Sequence, residues 1–466
     1  MGSSSHFDVA IIGAGMSGLA AGIRLAHFGL KVCILERHTV WGGLNSFYKK
    51  GGHHFDTGLH AMTNWLEPGY RGPRIPLQRI YRQLRLSPEV FRLEKQGYSQ
   101  VIFQDRCLRF ENGLERLSSE IAREFPAEVD GFVRLSKDLE AYPEANLDRS
   151  FVSARARLET YIRAPLLREM LLAPLLWYGS AHEDDVDFEQ FHILFNSIYR
   201  EGFCRPRDGV KTIIFALVRR YEETGGELRR NCGVSRLVVR DDSVREIELD
   251  DGSVLTADHV LSSAGLVETT RLRSDQGPGA LEEHEGQLAF TEAIHVLDRS
   301  MRDLGFDASI TFYNRGPSFA WRSPKDRLVD LNSSVICVPD NFRHEMPLDD
   351  HRLRVTHLAN NRRWFELEPE AYEAEKARML EGSIAATRAV TGNFGPHIRY
   401  TDAFTPRTVT KYTGHINGAI YGSPHKQKTG RTDLKNLFVI GTDQGMLGIV
   451  GAMLSGIAVA NTVGAG

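Results

Sequence analysis

The pattern of apolar residues at the start of the chain predicts a strand, a helix and a second strand. Residues 8–12 (DVAII) form a short apolar run of the kind found in buried strands. Residues 17–29 (SGLAAGIRLAHFG) are rich in small and apolar residues, as expected of a helix that packs closely on a sheet. Residues 31–36 (KVCILE) are a second apolar run. This order is typical of a βαβ unit, so we expect an α/β fold with a parallel sheet.

Later segments extend this pattern. Residues 205–239 predict a turn, a helix, a second glycine turn and a strand, and residues 255–265 predict a further strand. After an apolar strand at 437–440, residues 444–466 contain no charged residue. A run of that length could cross a bilayer, and a membrane-spanning tail is one interpretation. Its glycines and the preceding strand favour a buried helix docked inside the fold.

Two long inserts separate these segments, at 71–204 and 269–411. Within the first, residues 166–206 predict two apolar helices with an acidic cluster at 183–185 between them. The cluster either caps the second helix or supplies a proton acceptor. Residues 71–95 mix arginines with isoleucine, leucine, tyrosine and phenylalanine at roughly helical spacing. That stretch predicts either a solvated helix face or a peripheral membrane contact.

Composition and charge narrow the class of protein. The 466 residues are 42% hydrophobic and 25% charged, with a formal net charge of −3, which is ordinary for a soluble globular protein. This balance excludes a nucleic-acid binder that works by charge alone. Five scattered cysteines without a CxxC pair predict reduced thiols in a cytosolic environment. Because a strand begins almost at once, we expect no signal peptide and a cytoplasmic location.

The turn after the first strand has the spacing of a dinucleotide-binding site. In Gly13-x-Gly15-x-x-Gly18, the first glycine allows the tight turn and the second lets a diphosphate approach the backbone. The third lets the helix pack closely on the strand, and the helix then presents free N–H groups to the phosphates. Glu36, at the end of the second strand, is placed to accept hydrogen bonds from a ribose diol.

The residues that follow Glu36 resemble one group of flavoenzymes. GGLNSFYKKGGHHFDTGLH (42–60) has a glycine pair, a short hairpin and then F-D-x-G-x-H. Together with 205–239 and the closing NLFVIGTDQGMLGIVGAMLSGIAVAN (436–461), it resembles the phytoene desaturases, carotenoid isomerases and retinol saturases among the amine-oxidase-like flavoproteins. The resemblance implies an FAD-dependent oxidoreductase with a Rossmann-type FAD-binding domain and an inserted, mixed α+β substrate domain.

The resemblance also implies which residues bind FAD. In it, Asp443 binds the ribitol chain, Val234 touches the adenine through its backbone, and the helix after Asp443 points its N-terminus at the flavin. The implied FAD-binding residues are Gly13, Gly15, Ser17, Gly18, Glu36, Arg37, Gly42, Gly43, Leu44, Asn45, Gly58, Leu59, His60, Val234, Gly441, Asp443, Gly448, Ile449 and Val450.

The same resemblance divides the chain into two domains. The FAD-binding domain is expected to be discontinuous, at 1–70, 205–268 and 412–466. The inserts 71–204 and 269–411 are expected to form the substrate-binding domain.

Three histidines and an aspartate crowd the segment before residue 61. Imidazole and carboxylate are good ligands for zinc or iron, so His53, His54, Asp56 and His60 could form a metal site. In an extended strand, however, His54 and Asp56 share one face and His53 lies on the other. A single ion would need ligands from both faces, so we expect no metal. The resemblance instead places His60 beside the flavin, as a candidate catalytic residue.

Two other side chains are candidates for chemistry near the flavin. Asp184 could accept a proton, and Lys211, close to the cofactor segment in sequence, could contact an anion or the flavin. The aromatic residues of 166–206, among them Trp177 and Tyr178, either pack in a core or line a long apolar pocket.

The resemblance implies an activity but leaves alternatives open. The expected substrate is a long apolar polyene or isoprenoid lipid that is desaturated, with electrons passed to oxygen or a quinone. Isomerisation and saturation would use the same site. An amine-oxidase-like enzyme is expected to have two aromatic residues that frame the flavin, and the C-terminal region contains only Tyr421 as a candidate. A non-catalytic flavin-binding module is the last alternative.

Overall fold

The computed structural model describes residues 5–65, 67, 75–142 and 150–465. In chain order, its strands are Ser5–Ile12 (β1), Val32–Leu35 (β2), Phe47–Lys50 (β3), His53–Asp56 (β4), Leu93–Lys95 (β5), Ser99–Phe103 (β6), Arg106–Phe110 (β7), Cys204–Pro206 (β8), Glu227–Arg229 (β9), Val234–Arg240 (β10), Ser243–Leu249 (β11), Val254–Ser262 (β12), Ala289–Leu297 (β13), Ile310–Asn314 (β14), Ser333–Cys337 (β15), His351–Ala359 (β16), Ile398–Phe404 (β17) and Leu437–Val439 (β18).

Thirteen α-helices accompany these strands in the described ranges. They are Met16–Ala26 (α1), Pro76–Leu84 (α2), Glu115–Glu124 (α3), Val129–Glu140 (α4), Ala154–Glu159 (α5), Pro165–Gly179 (α6), Phe188–Phe195 (α7), Lys211–Glu223 (α8), Leu266–Leu272 (α9), Arg363–Glu366 (α10), Pro369–Thr391 (α11), Pro406–Thr413 (α12) and Gly448–Gly464 (α13).

The first large sheet is built around the predicted βαβ unit. Strands β12, β1, β2 and β9 run parallel in that order, and β18 lies parallel to β12. The register pairs Val9 with Val32 and Ile12 with Leu35, so the two predicted apolar runs are neighbouring buried strands. Strands β10 and β11 extend the sheet in antiparallel fashion. The predicted α/β fold with a Rossmann-type unit is confirmed.

The uncharged C-terminal run forms α13, which packs against α1. Small residues are required where the two helices meet, because a Cβ on Gly456 would lie 2.1 Å from the backbone oxygen of Ser17. This contact confirms the prediction of a buried helix docked in the fold, and the interpretation as a membrane-spanning tail is wrong. Within residues 5–465, apart from the gaps given above, no helix has both the length and the apolar character to span a bilayer.

A second large sheet is formed entirely by strands from the inserts. Its order is β17-β13-β16-β15-β14-β6-β7, and its neighbours are antiparallel except for β14 and β6. A large apolar cluster, which contains residues of α6 and α7, packs on one face. A smaller cluster, to which α11 contributes, packs on the other. This sheet therefore forms the mixed α+β layer on which a substrate site can be built.

The basic stretch at 71–95 uses its apolar residues inside the protein. Residues 71–74 lie outside the described ranges. In the remainder, Leu77, Ile80 and Leu84 on one face of α2 are buried in the same apolar cluster as α1 and α13. The arginines of the helix point to solvent. The predicted solvated helix face is observed, and these apolar side chains are not available to enter a bilayer.

Candidate active site

One cavity of about 970 Å³ connects the first sheet with the second. It begins at the glycine turn after β1 and extends to aromatic side chains of the second sheet and of α6. The residues predicted to bind FAD that line this cavity are Gly13, Gly15, Ser17, Glu36, Arg37, Gly42, Gly43, Leu44, Asn45, Gly58, His60, Val234, Gly441, Gly448 and Ile449.

The glycine turn has the shape that a diphosphate requires. Gly13 has φ +94°, a conformation that favours glycine, and a Cβ on Gly18 would lie 2.0 Å from the carbonyl oxygen of Gly13. A Cβ on Gly15 would meet nothing within 4 Å, because this position faces the open cavity. The second glycine turn lies against the first, since the Gly42 N–H donates to the Ala14 carbonyl at 2.9 Å. An extended dinucleotide diphosphate therefore fits between the two turns.

Glu36 fixes the other side of this turn. One carboxylate oxygen accepts a hydrogen bond from the Ala14 N–H at 2.8 Å, and the other accepts one from the His38 N–H at 2.8 Å. The side chain is buried and lines the cavity. Each oxygen keeps a further lone pair, so Glu36 can still accept from a ribose diol.

We expect Glu36→Ala to weaken FAD binding by about 1.5–3 kcal/mol, the range for a hydrogen bond to a charged group. The variant loses the acceptor for the ribose and also the acceptor for the backbone N–H groups of Ala14, in the turn, and His38, after β2. Titration of the apoprotein with FAD measures the change. Glu227→Ala is a matched control, because Glu227 lies exposed on β9 of the same sheet and does not line the cavity. Equal affinities in the two variants would contradict the assignment.

Four residues predicted to bind FAD do not line the cavity: Gly18, Leu59, Asp443 and Val450. The buried Asp443 carboxylate instead accepts from the backbone N–H groups of Leu266 at 2.6 Å and Ser423 at 2.9 Å. It also pairs with Lys426 at 3.3 Å. These contacts tie three chain segments together behind the cavity wall, and the contact of Asp443 with the ribitol chain stays a prediction.

His60 enters the cavity beside a carboxylate that the sequence did not reveal. Its Nε2 lies 3.4 Å from Oε2 of Glu292, on β13, and 3.0 Å from Oγ1 of Thr356, on β16. Burial lowers the pKa of His60, and this effect outweighs Glu292, whose charge acts to raise it. His60 is therefore neutral at pH 7. With its Nε2–H donated to Glu292, its Nδ1 is the nitrogen that can accept a proton.

Two buried arginines neutralise the carboxylates around His60. Arg354 forms two contacts of 2.5 Å or less with the Glu292 carboxylate and donates to the carbonyls of Leu59 and Thr57. Burial alone would raise the pKa of Glu292, but Arg354 and His60 outweigh it and lower that pKa. Arg205 pairs with Asp56 in the same way and donates to the carbonyls of Leu59 and His60. Both arginines thus hold the backbone of the loop that carries His60, and each forms an ion pair whose charges cancel.

Aromatic rings form the end of the cavity beyond Glu292. Trp177 and Tyr178 of α6 line it together with Phe290 of β13 and Tyr421. The rings of Trp177 and Phe290 lie 5.2 Å apart, and those of Phe290 and Tyr421 lie 6.0 Å apart. The sequence indicated Tyr421 as a ring near the flavin and Trp177 and Tyr178 as possible pocket residues, and the structure adds Phe290.

Asp184 and Lys211 do not line the cavity. Asp184 pairs with Arg322 at 2.7 Å on a partly exposed surface, and its role as a proton acceptor near the flavin stays a prediction. The following helix is capped by Asp187, whose side chain accepts from the Glu189 N–H. Lys211 is the first residue of α8 and is half-buried outside the cavity, and a flavin contact from it also stays a prediction.

The side chains of His53, His54, Asp56 and His60 lie in different environments. In the hairpin of β3 and β4, Asp56 is buried against Arg205 while His54 is exposed, although the alternation of an extended strand predicts one face for both. Across the described parts of the chain, no group of three or more His, Cys, Asp or Glu side chains is arranged to hold a metal ion.

Glu292, Arg354 and Thr356 lie in the insert, where no motif marks them. Glu292 is the one acidic residue in the apolar run AFTEAIHVL (289–297), and Arg354 lies in LRVTHLA (353–359). A charged residue in a strand that is apolar on both faces must be paired, because an unpaired buried charge is too costly. That signal indicates a buried ion pair but not its partner.

Comparison with known proteins agrees with this geometry. The family model described as flavin-containing amine oxidoreductase matches residues 16–464. The all-trans-retinol 13,14-reductase of Danio rerio is 23% identical, over 98% of this chain and 86% of that enzyme. A phytoene desaturase of Pantoea ananas is 23% identical, over 59% of this chain and 58% of that enzyme. A crystal structure of an oxidoreductase from Methanosarcina mazei superposes with a TM-score of 0.67 at 16% identity, covering 97% and 99% of the two chains.

Proposed function

The chain belongs to the flavin-containing amine oxidoreductases and is an FAD-dependent oxidoreductase, and we propose that its substrate is a long apolar polyene or isoprenoid lipid. The reaction proposed is desaturation of a carbon–carbon bond. The retinol reductase and the phytoene desaturase to which this chain is similar have names that fit such a substrate.

The observation that carries this proposal is an aromatic cavity that ends in a charge-neutral polar cluster. The walls beyond His60 are formed by rings, which suit an apolar substrate. Glu292, the carboxylate in these walls, is neutralised by Arg354. A substrate ammonium group would lose its hydration there and would find no free carboxylate to pair with. The charge balance, rather than the number of rings, thus favours a hydrocarbon over an amine.

The polar residues supply proton transfer and orientation. Bound FAD supplies the two-electron redox chemistry, and in the desaturation direction oxygen or a quinone takes up the electrons. His60, neutral and facing the cavity, accepts the proton that leaves the substrate carbon. Glu292 orients the ring and stabilises its charged form, while Arg354 and Arg205 hold the backbone of the loop.

Saturation is the second candidate, because the match to the retinol reductase extends over 98% of this chain. In that direction protonated His60 would give its proton to the substrate, and reduced FAD would be required at the start. Isomerisation would use the same residues without net oxidation. We also propose the two-domain division at 1–70, 205–268 and 412–466 against 71–204 and 269–411. The proposed location is cytoplasmic, with a peripheral membrane contact for substrate loading that does not use the buried apolar face of α2.

Anaerobic spectroscopy of the flavin tests the proposed function. We expect a phytoene-type polyene in detergent to bleach the yellow absorbance of the oxidised holoenzyme, and a diamine such as putrescine to leave it unchanged. For saturation, a polyene such as retinol should restore the yellow absorbance of enzyme reduced beforehand with dithionite. Bleaching by the amine and none by the polyenes would replace the proposal with amine oxidation. A flavin that responds to neither class would leave a binding module.

A further inference from the structure

The cavity is closed at the end that lies beyond Phe290. Trp177, which lines this end, is only 4% exposed, and its ring stands against that of Phe290. Behind Trp177 lie the rings of Trp321, at 5.1 Å, and Phe319, at 5.9 Å. Neither of these two lines the cavity, and Trp321 is fully buried. The wall is therefore two aromatic layers thick.

Hydrogen bonds hold this wall in place. The Tyr421 hydroxyl donates to the Trp177 carbonyl, and the Trp321 indole N–H donates to the Ser180 carbonyl at 3.3 Å. Trp177 lies in the last turn of α6, an apolar helix whose neighbouring residues are buried in the large cluster on the second sheet. Close packing of this kind leaves no room for the ring to swing aside.

The strand that carries Glu292 sets the distance to the wall. Phe290 and Glu292 lie two residues apart on the same face of β13, which places them about 7 Å apart. Across the sheet, Glu292 is paired with Thr356 on one side and Phe404 on the other. The cavity reaches the surface elsewhere, where exposed Lys49, Lys50 and Tyr412 line it. The polar cluster thus lies next to the closed end of the cavity, two residues along β13 from Phe290.

From this arrangement we infer that Trp177 and Phe290 are an end stop for the substrate. The inference rests on the proposed function and adds to it where on the polyene the enzyme acts. A linear chain enters by one end, abuts the two rings, and presents to His60 a bond close to that inserted end. Trp177 therefore determines the position of the reacting bond and the length of chain accepted beyond it.

The test compares Trp177→Ala with the wild-type holoenzyme on a series of linear polyenes of increasing length. The products are analysed for the position of the altered bond. The smaller side chain opens space beyond Phe290, so we expect the reacting bond to move toward the middle of the chain. We also expect kcat/KM for long relative to short substrates to rise by about tenfold or more, the scale at which a pocket discriminates by fit. An unchanged position and ratio would overturn the end stop.

Two further variants keep the test decisive if Trp177→Ala folds poorly. Trp177→Phe should shift the ratio in the same direction by a smaller factor. Trp364→Phe is the matched control, because Trp364 is similarly buried but packs in a separate cluster and does not line the cavity. Its ratio should equal that of the wild type, and a shift equal to that of Trp177→Phe would overturn the inference. Wild-type enzyme that acts on no polyene would overturn the proposed function as well, whereas activity with an unchanged product in both Trp177 variants would overturn only the end stop.

Discussion

Replacing His60 with Ala should lower the rate of substrate oxidation by about 10²–10⁴-fold, the usual contribution of a positioned general base. In the polar cluster around Glu292, the imidazole faces the cavity and can take a proton, because Glu292 is already paired with Arg354. The rate is measured in a single turnover under anaerobic conditions, as the bleaching of bound FAD by a polyene. FAD content is determined beforehand, so that a loss of cofactor is not mistaken for a loss of chemistry.

His54→Ala is the matched control for this variant. His54 lies on the adjoining strand β4, is exposed, and does not line the cavity. Its substitution should leave the rate within a factor of about two, as expected of a surface residue away from the site. A rate in His60→Ala that equals the rate in His54→Ala would remove His60 from the chemistry.

The pH dependence distinguishes the two directions of the reaction. Burial lowers the pKa of His60 below its ordinary value of 6.5. A base must be neutral, so desaturation should proceed fully at pH 7 and be lost as the pH falls through that lowered pKa. An acid must be protonated, so saturation should instead be lost as the pH rises through it. In His60→Ala, the rate should no longer fall with pH in either of these ways. A fall that persists in the variant reports the titration of another group.

Replacing Arg354 with Met should destabilise the protein by about 3–5 kcal/mol, because it leaves the Glu292 carboxylate buried and unpaired. Arg354 and Glu292 are each only 2% exposed, and Arg354 also donates to the carbonyls of Thr57 and Leu59. Urea unfolding of the holoenzyme, followed by circular dichroism and by FAD release, measures the loss.

An exposed ion pair and a double variant complete this experiment. Arg378→Ala removes an exposed pair with Glu375 on α11 and should cost less than about 1 kcal/mol. The double variant Glu292→Gln/Arg354→Met removes both charges and should recover part of the loss, while remaining defective in catalysis. A cost for Arg354→Met no greater than that for Arg378→Ala would mean that Glu292 has access to water.

The cofactor half of the site could be predicted because its determinants are local. The strand, the glycine spacing and Glu36 all fall within 8–36, and the hairpin that leads to His60 follows directly. Such neighbours are positioned by one turn or one strand. Their spacing in sequence therefore fixes their spacing in space.

The substrate half could not be predicted in the same way, because it depends on distant pairings. Glu292 meets Thr356 only when β13 pairs with β16, and Thr356 lies 296 residues from His60. Asp443, in the C-terminal motif, shows that a motif also does not fix the direction of a side chain. Asp443 has the expected position in sequence, but the backbone N–H groups of Leu266 and Ser423 decide where its carboxylate points.

The packing of α13 on α1 has a consequence for biosynthesis. The glycine turn that faces the diphosphate is completed by a helix more than 400 residues later in the chain, since Gly448 and Ile449 line the same cavity as Gly13 and Gly15. The first βαβ unit is synthesised long before residues 448–464. Until α13 is made, the face of α1 that it covers has no partner from that helix. The complete wall of the FAD cavity can therefore form only after Gly448 and Ile449 have been synthesised, and a nascent chain stalled before Gly448 lacks this part of the site.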